Sequence, residues 1–206
     1  MKILDNVDSA ERILVSKGSD NLPCVNEFQA ISGIEIPTFR GEELKATSQG
    51  REFWLVKGRD IPKYLAKKWG DIGIAGTDVY LEYADSRQVD CQSIGQSMYR
   101  FSLLAEPQKV SFVEARLNTD GRYPSYPTSI PTGLPKLLMA AAQGQDLPFQ
   151  PLEMPISDSV EAAIGLSGVG IGADIVFSGE TARQNGLLEV FKLRDIYPAI
   201  MMGRDL

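Results

Sequence analysis

No histidine occurs anywhere in the 206 residues. That excludes histidine-based triads, histidine general bases and histidine-ligated metals. Cysteine is nearly absent too: only Cys24 and Cys91 are present, far apart in sequence. Two isolated thiols build neither a structural zinc site nor a disulfide framework, and they predict free cysteines in a reducing compartment. No apolar run approaches the length needed to span a membrane. The start, Met1-Lys2-Ile3-Leu4, turns acidic at Asp5, unlike a secretory leader, so a cytoplasmic location is expected. Basic residues are outnumbered 21 to 27, for a net charge of −6. That argues against non-specific nucleic-acid binding, but not against an anionic ligand in a local pocket. Any metal is then a hard ion held by carboxylates and phosphates, with Mg²⁺ first in line.

What is present is an ordinary globular composition, 43% hydrophobic and 23% charged, in a chain long enough for one large domain or two lobes. Met1 to Glu11 is polar, has no clear period and reads as a tail. Arg12–Ser16 reads as a strand, Lys17-Gly18-Ser19 as a turn, and Pro23–Ser32 as a helix stopped by Gly33. Ile34–Pro37 is a further strand candidate, and Arg40–Gly50 reads as loop. Glu52–Val56 has strong β-propensity. Asp60 is an N-cap type residue for a helix with Ile61, Tyr64 and Leu65 at helical spacing. Asp71–Gly76 is a glycine-broken strand, and Thr77-Asp78 opens the next helix. Asp71 and Asp78 are helix-terminus residues by type. Tyr99–Ala105 is a strand, Gly133–Ala142 a helix, Leu152–Pro155 a strand end, and Ser157–Leu166 a capped helix. Val190–Leu193 and Tyr197–Met202 read as closing strands. The strand–helix–strand rhythm predicts an α/β fold with a partly parallel sheet. In such sheets ligands meet the carboxyl ends of strands, which directs attention to Gly76 and Thr77.

The densest chemistry is in Asp174-Ile-Val-Phe-Ser-Gly-Glu-Thr-Ala-Arg-Gln-Asn-Gly-Leu187, which reads as strand, loop and helix. A Ser178-Gly179-Glu180-Thr181 turn opening a helix gathers free backbone N–H groups and two hydroxyls, the physics of a phosphate cradle. The same turn also serves as a plain helix cap. Lys17-Gly18, after the first strand, is either a second anion site or a solvated turn. Glu161 is either a capping-box residue or a ligand-orienting carboxylate.

The 174–187 string resembles the phosphoribosyl-pyrophosphate loop of the ATP phosphoribosyltransferases. Asp174, Ile175, Val176, Ser178, Gly179, Thr181, Asn185, Gly186 and Leu187 match in register, while Ala182 stands where leucine is usual. A second block supports the resemblance: Arg59-Asp60-Ile61-Pro62, then Gly70-Asp71-Ile72-Gly73-Ile74-Ala75-Gly76-Thr77-Asp78-Val79, with the family's spacing. Departures are Ser19 for an arginine, Pro124 for a threonine in a Thr-x-Tyr-Pro turn, Asp158 for a glycine, and the long glycine run 167–172. Glu180 places a carboxylate in a variable position of the loop.

The resemblance implies two α/β lobes with a double crossover, a type II periplasmic-binding-protein-like fold with the ligand cleft between lobes. Lobe I is expected at 1–101 plus 187–206, and lobe II at 102–186. The implied reaction transfers phosphoribosyl from phosphoribosyl pyrophosphate to N1 of ATP, the first step of histidine biosynthesis. Glu161, Arg59 and Lys17 are the implied catalytic residues. Asp174, Ser178, Gly179, Glu180 and Thr181 hold substrate phosphate, and Gly76, Thr77 and Arg100 meet the nucleotide. Mg²⁺ is the implied cofactor. A homo-oligomer and a synthetase-like regulatory subunit are the implied partners, with no nucleic acid or membrane. Two other outcomes stay open: a catalytically diverged phosphate-ester or regulatory protein on the same scaffold, and an exported solute-binding protein.

Overall fold

The computed structural model describes residues 3–18, 22–118, 128–152, 156 and 159–204. Ser19, the Pro124–Pro127 turn, Glu153–Pro155 and Ser157–Asp158 lie outside them. The chain divides into two compact α/β units, Met1–Met98 with Ile196–Leu206, and Tyr99–Asp195.

The first unit is built on β1 (Arg12–Ser16), α1 (Leu22–Ser32), β2 (Lys45–Ser48), β3 (Arg51–Val56), α2 (Ile61–Ala66), β4 (Ile72–Gly76), α3 (Thr77–Tyr83), β5 (Val89–Ser93) and β11 (Pro198–Gly203). Its sheet runs β2-β3-β1-β4-β11-β5. β3, β1 and β4 are parallel, with Ser16 opposite Val56 and Val15 opposite Ile74. β11 is antiparallel to β4 and β5. Alternation along the strands divides two cores. Ile13, Val15, Phe53, Ile72, Ile74 and Ile200 pack with Cys24 and Phe28 of α1. Leu14, Ala75 and Met201 pack with Ile61 and Leu65 of α2. A largely parallel sheet needs both faces covered, which is why these strands carry apolar residues at successive positions.

Several local expectations change here. The N-terminal stretch is not a tail: Ile3–Asn6 forms a 3-10 turn, and Ile3, Val7 and Ala10 enter the first core. Arg51 fixes it by donating to the carbonyls of Ala10 and Asp8. Ile34–Pro37 forms no strand; Ile34 is buried, and the Ile36 amide donates to Gln29 Oε1 at 2.7 Å, which removes its need for a ladder. Arg40–Gly50 is not all loop: β2 pairs with β3 through the two-residue turn Gln49-Gly50, both at positive φ, the backbone a tight hairpin requires. Asp60 makes no capping bond; it ends a 3-10 turn, Gly58–Asp60, that leads into α2.

The second unit contains β6 (Tyr99–Ala105), α4 (Val110–Leu117), β7 (Thr128–Ile130), α5 (Pro135–Gly144), β8 (Phe149–Pro151), α6 (Val160–Leu166), β9 (Ile171–Val176), α7 (Glu180–Gln184) and β10 (Leu188–Ile196). One sheet runs β10-β6-β9, with β6 and β9 antiparallel; β7 and β8 form a parallel pair. The expected second crossing at 186/187 falls instead at 195/196. The physical reason is that β10 hydrogen-bonds to β6 and so stays with this unit.

Gly172 explains part of the glycine run. A Cβ there would stand 2.5 Å from Ile164 Cγ1 and 3.0 Å from the Pro131 carbonyl oxygen. α6 therefore packs onto β9 only over a bare backbone. Gly172→Ala should destabilise the protein by about 1–3 kcal/mol through overpacking, and adding Ile164→Ala, which removes the contacted Cγ1, should cost less than the sum of the two single substitutions. Denaturant unfolding of the single and double variants measures this; equal stability of Gly172→Ala and wild type would contradict the close approach.

Candidate active site

Each unit gathers expected residues at strand ends. In the first, the parallel register of β3, β1 and β4 ends at Val56, Ser16 and Gly76. The residues that follow, Lys57-Gly58-Arg59, Lys17-Gly18 and Thr77-Asp78, therefore share one edge of the sheet. The Lys17 amide donates to the Val56 carbonyl at 2.8 Å, joining two of these turns. Burial pushes the Tyr83 hydroxyl up, with Glu82 and Asp78 adding to the rise and Arg59 opposing it. The Thr77 hydroxyl accepts the Tyr197 amide at 3.1 Å, and the Thr77 amide donates to the Tyr197 carbonyl. This reciprocal pair fixes the Gly76-Thr77 turn against the chain entering β11. Asp78 is half-buried, and desolvation pushes its carboxyl up while the amides of Val79 and Asp78 pull it down. Asp71 caps no helix: its Oδ2 accepts the amides of Glu11 and Arg12 at 2.8 and 2.7 Å, tying the start of β1 to β4.

In the second unit, β9 delivers the Ser178–Thr181 loop. Gly179 has φ +75°, a left-handed turn that suits glycine. Ser178 Oγ accepts the Glu180 amide at 3.2 Å, and the first helical bond runs from the Arg183 amide to the Gly179 carbonyl. The Thr181 and Ala182 amides fall in the first turn of α7 and so have no acceptor within the helix. Ser178 and Thr181 are exposed. Glu180 is turned into the helix, bonded to Arg183 and Gln184, and these bonds hold its carboxyl below the ordinary range. Its charge is thus locally compensated. Asp174 Oδ1 accepts the Ile175 amide at 2.8 Å, one of its roles on the same strand.

Glu161, half-exposed, sits in the first turn of α6, whose N-cap Ser159 is left-handed at φ +54° and makes no side-chain cap bond. Val160 and Ala182 belong to one apolar cluster with Val176 and Leu104. The first turns of α6 and α7 therefore share one core beside β9.

Arg100 is placed differently from a simple nucleotide contact. Its Nε and Nη2 donate to the two oxygens of Glu189, each at 2.5 Å, and Nη1 donates to the Phe177 carbonyl at 2.9 Å. Buried Ser102 also donates to Glu189, at 2.7 Å. Neither Glu189 nor Ser102 was expected. The only local signal was Arg100 and Ser102 at alternate positions of an otherwise apolar strand, which puts two polar side chains on one face. Both cysteine thiols are pushed up to about 12 by burial, so neither offers a nucleophile at neutral pH. Among the described residues no group of three His, Cys, Asp or Glu could hold a metal, and no helix is long and apolar enough to cross a membrane.

Two α/β units joined by two crossings of the chain, one carrying the Ser178–Thr181 loop after β9 and the other three turns at parallel strand ends, define a type II periplasmic-binding-protein-like scaffold. The family profile described as HisG, ATP phosphoribosyltransferase, matches residues 57–205, and the chain belongs to that family. ATP phosphoribosyltransferase of Thermococcus kodakarensis is 28% identical over 94% of this chain and 87% of its own length. That of Caldicellulosiruptor bescii is 31% identical over 78% and 72%. The fold is similar to that of a chain in the Thermotoga maritima ATP phosphoribosyl transferase (HisG:HisZ) complex, with a TM-score of 0.59 at 19% identity, covering 92% of this chain and 85% of that one.

The Arg100–Glu189 pair makes a pH prediction. Arg100 holds the Glu189 carboxyl below its ordinary 4.5. A carboxyl lowered in the folded state stabilises above its unfolded pKa, and that stabilisation is lost as pH falls through the folded value. Glu189→Gln should therefore melt below wild type at neutral pH, and the gap should close on acidification below about 4.5. A gap that does not change with pH, followed by circular dichroism, would remove the ion pair from the stability of this unit.

Proposed function

We infer that this chain transfers the phosphoribosyl group of phosphoribosyl pyrophosphate to N1 of ATP, releasing pyrophosphate, in histidine biosynthesis. The single observation that carries the residue assignment is the Ser178–Thr181 loop. Left-handed Gly179 opens a turn after β9 that carries the exposed hydroxyls of Ser178 and Thr181 and leads into first-turn amides with no acceptor within the helix. A 5′-phosphate suits that set: the amides donate, the hydroxyls donate, and the loop's own carboxylate, Glu180, is answered by Arg183 and Gln184. Glu161, in the first turn of α6, is assigned to the ribose hydroxyls, as acceptor. Asp174 supports the loop from within its strand.

In the reaction a bond forms between ATP N1 and the anomeric carbon, and the bond from that carbon to pyrophosphate oxygen breaks. Positive charge develops on the ribose and negative charge on the leaving group. The chain needs to position the two reactants and stabilise these charges, tasks that need no histidine. Lys17 and Arg59 are assigned to the leaving pyrophosphate, and Gly76 and Thr77 to the nucleotide. The described residues offer no carboxylate cage, so Mg²⁺ in this assignment is a counter-ion carried on the diphosphate of the substrate. A homo-oligomer, a synthetase-like regulatory subunit and a cytoplasmic location belong to the same proposal. The solved HisG:HisZ complex of similar fold supports the regulatory partner.

Calorimetric titration with phosphoribosyl pyrophosphate and Mg²⁺, followed by ATP and detection of pyrophosphate, tests this. Binding with turnover is expected. Binding without turnover, even with a regulatory subunit supplied, would favour a diverged phosphate-ester binder. No binding at millimolar ligand would leave the loop as a helix cap. Thr181→Val should weaken phosphoribosyl pyrophosphate binding by about 1–3 kcal/mol; unchanged affinity would remove the hydroxyl from the site.

A further inference from the structure

We propose that Glu189 is a positioning residue for the phosphate loop, acting through Arg100 on the carbonyl of Phe177. This rests on the function inferred above and adds a residue that no motif of the loop contains.

The loop has a rigid entry and a short exit. Phe177 is the residue between β9 and Ser178, and its carbonyl lies beyond the last ladder pair, Arg100 with Val176. Without a strand partner, that carbonyl is free to rotate its peptide, and the Ser178 amide belongs to the same peptide plane. Arg100 Nη1 supplies the missing donor at 2.9 Å. A guanidinium is planar, so its orientation is fixed once two of its nitrogens are held. Glu189 holds them, with one carboxylate oxygen on Nε and the other on Nη2. Ser102 in turn bonds Glu189 Oε1, so the carboxylate itself cannot swing. The Glu189 side chain is 24% exposed and that of Arg100 34%, sheltered enough for the fork to keep one geometry. On the other side of the strand, the Tyr99 and Phe177 rings meet edge-on at 5.3 Å. The chain at Phe177 is thus fixed through its carbonyl and its ring. The plane in which Ser178 and Gly179 begin their turn follows from β10, one strand further across the sheet.

The test is binding of phosphoribosyl pyrophosphate with Mg²⁺, and separately of ATP, to the full chain carrying Glu189→Gln or Arg100→Lys. Glu189→Gln keeps the shape and loses the charge; Arg100→Lys keeps the charge and loses the fork. Both should weaken phosphoribosyl pyrophosphate by roughly tenfold or more, while ATP affinity stays within about twofold. A purely structural role would lower both affinities together, and that result overturns the proposal. Loss of ATP affinity alone would make Arg100 a nucleotide contact and also overturn it. If Glu189→Gln does not fold, Arg100→Lys decides alone by the same ligand split. Unchanged phosphoribosyl pyrophosphate affinity in a variant of a wild type that binds it removes only the role of Glu189. A wild type that binds none removes the transferase function, and this role with it.

Discussion

Three parallel strands buried on both faces are the constraint on which the first unit depends. Once Ile13 and Val15 must face one core and Leu14 the other, the register of β1 with β3 and β4 admits no slip, because a one-residue shift would turn each of them into the opposite core, which is packed for other side chains. That register brings the turns after Ser16, Val56 and Gly76 to one edge. Three short sequences far apart in the chain, two of them beginning Lys-Gly, become neighbours for this reason. The antiparallel strand β11 completes the arrangement, since its entry at Tyr197 exchanges hydrogen bonds with Thr77.

The strand and helix assignments that could be read from sequence are those set by local pattern. β1, β3, β4, α3 and α5 carry continuous apolar runs, clean caps or glycine stops, and propensity agrees with tertiary structure. Less legible were elements whose state is decided from far away. Ile3, Val7 and Ala10 look like part of a polar tail because the stretch has no regular apolar period, yet each fills the core beside α1. Lys45–Ser48 has weak β-propensity and becomes a strand because the Gln49-Gly50 turn folds it back on β3. Ile34–Pro37 has the composition of a strand, but the Gln29 side chain answers the Ile36 amide first.

The candidate site divides in the same way. Ser178, Gly179 and Thr181 were legible because a phosphate cradle is a local object: one turn, one glycine and the first amides of a helix. Glu189 was not, since it lies 89 residues from Arg100 in the chain and meets it only because β10 pairs with β6. The boundary between units was misplaced for the same cause, for a strand belongs to whichever sheet satisfies its backbone. Arg100 could be recognised as a residue of interest from its position before an apolar strand. What it does could not be read there, because its partners are a carbonyl and a carboxylate supplied by two other strands.

Charge is where local arrangement outweighs composition. A chain with net charge −6 and a polyanionic substrate are poorly matched at long range, and salt screens that mismatch beyond about 10 Å. What matters is which carboxylates are already answered. Glu180 is bonded to Arg183 and Gln184, Glu189 to Arg100 and Ser102, and Asp174 to the Ile175 amide. Each acid nearest the loop thus has a partner within its own unit. The amides of the loop then present a local positive potential despite the acidic surroundings. Glu161 lies in the first turn of α6, where the helix dipole favours a negative charge. In the proposed assignment, the negative charge of this side chain answers the positive charge that develops on an oxocarbenium-like ribose.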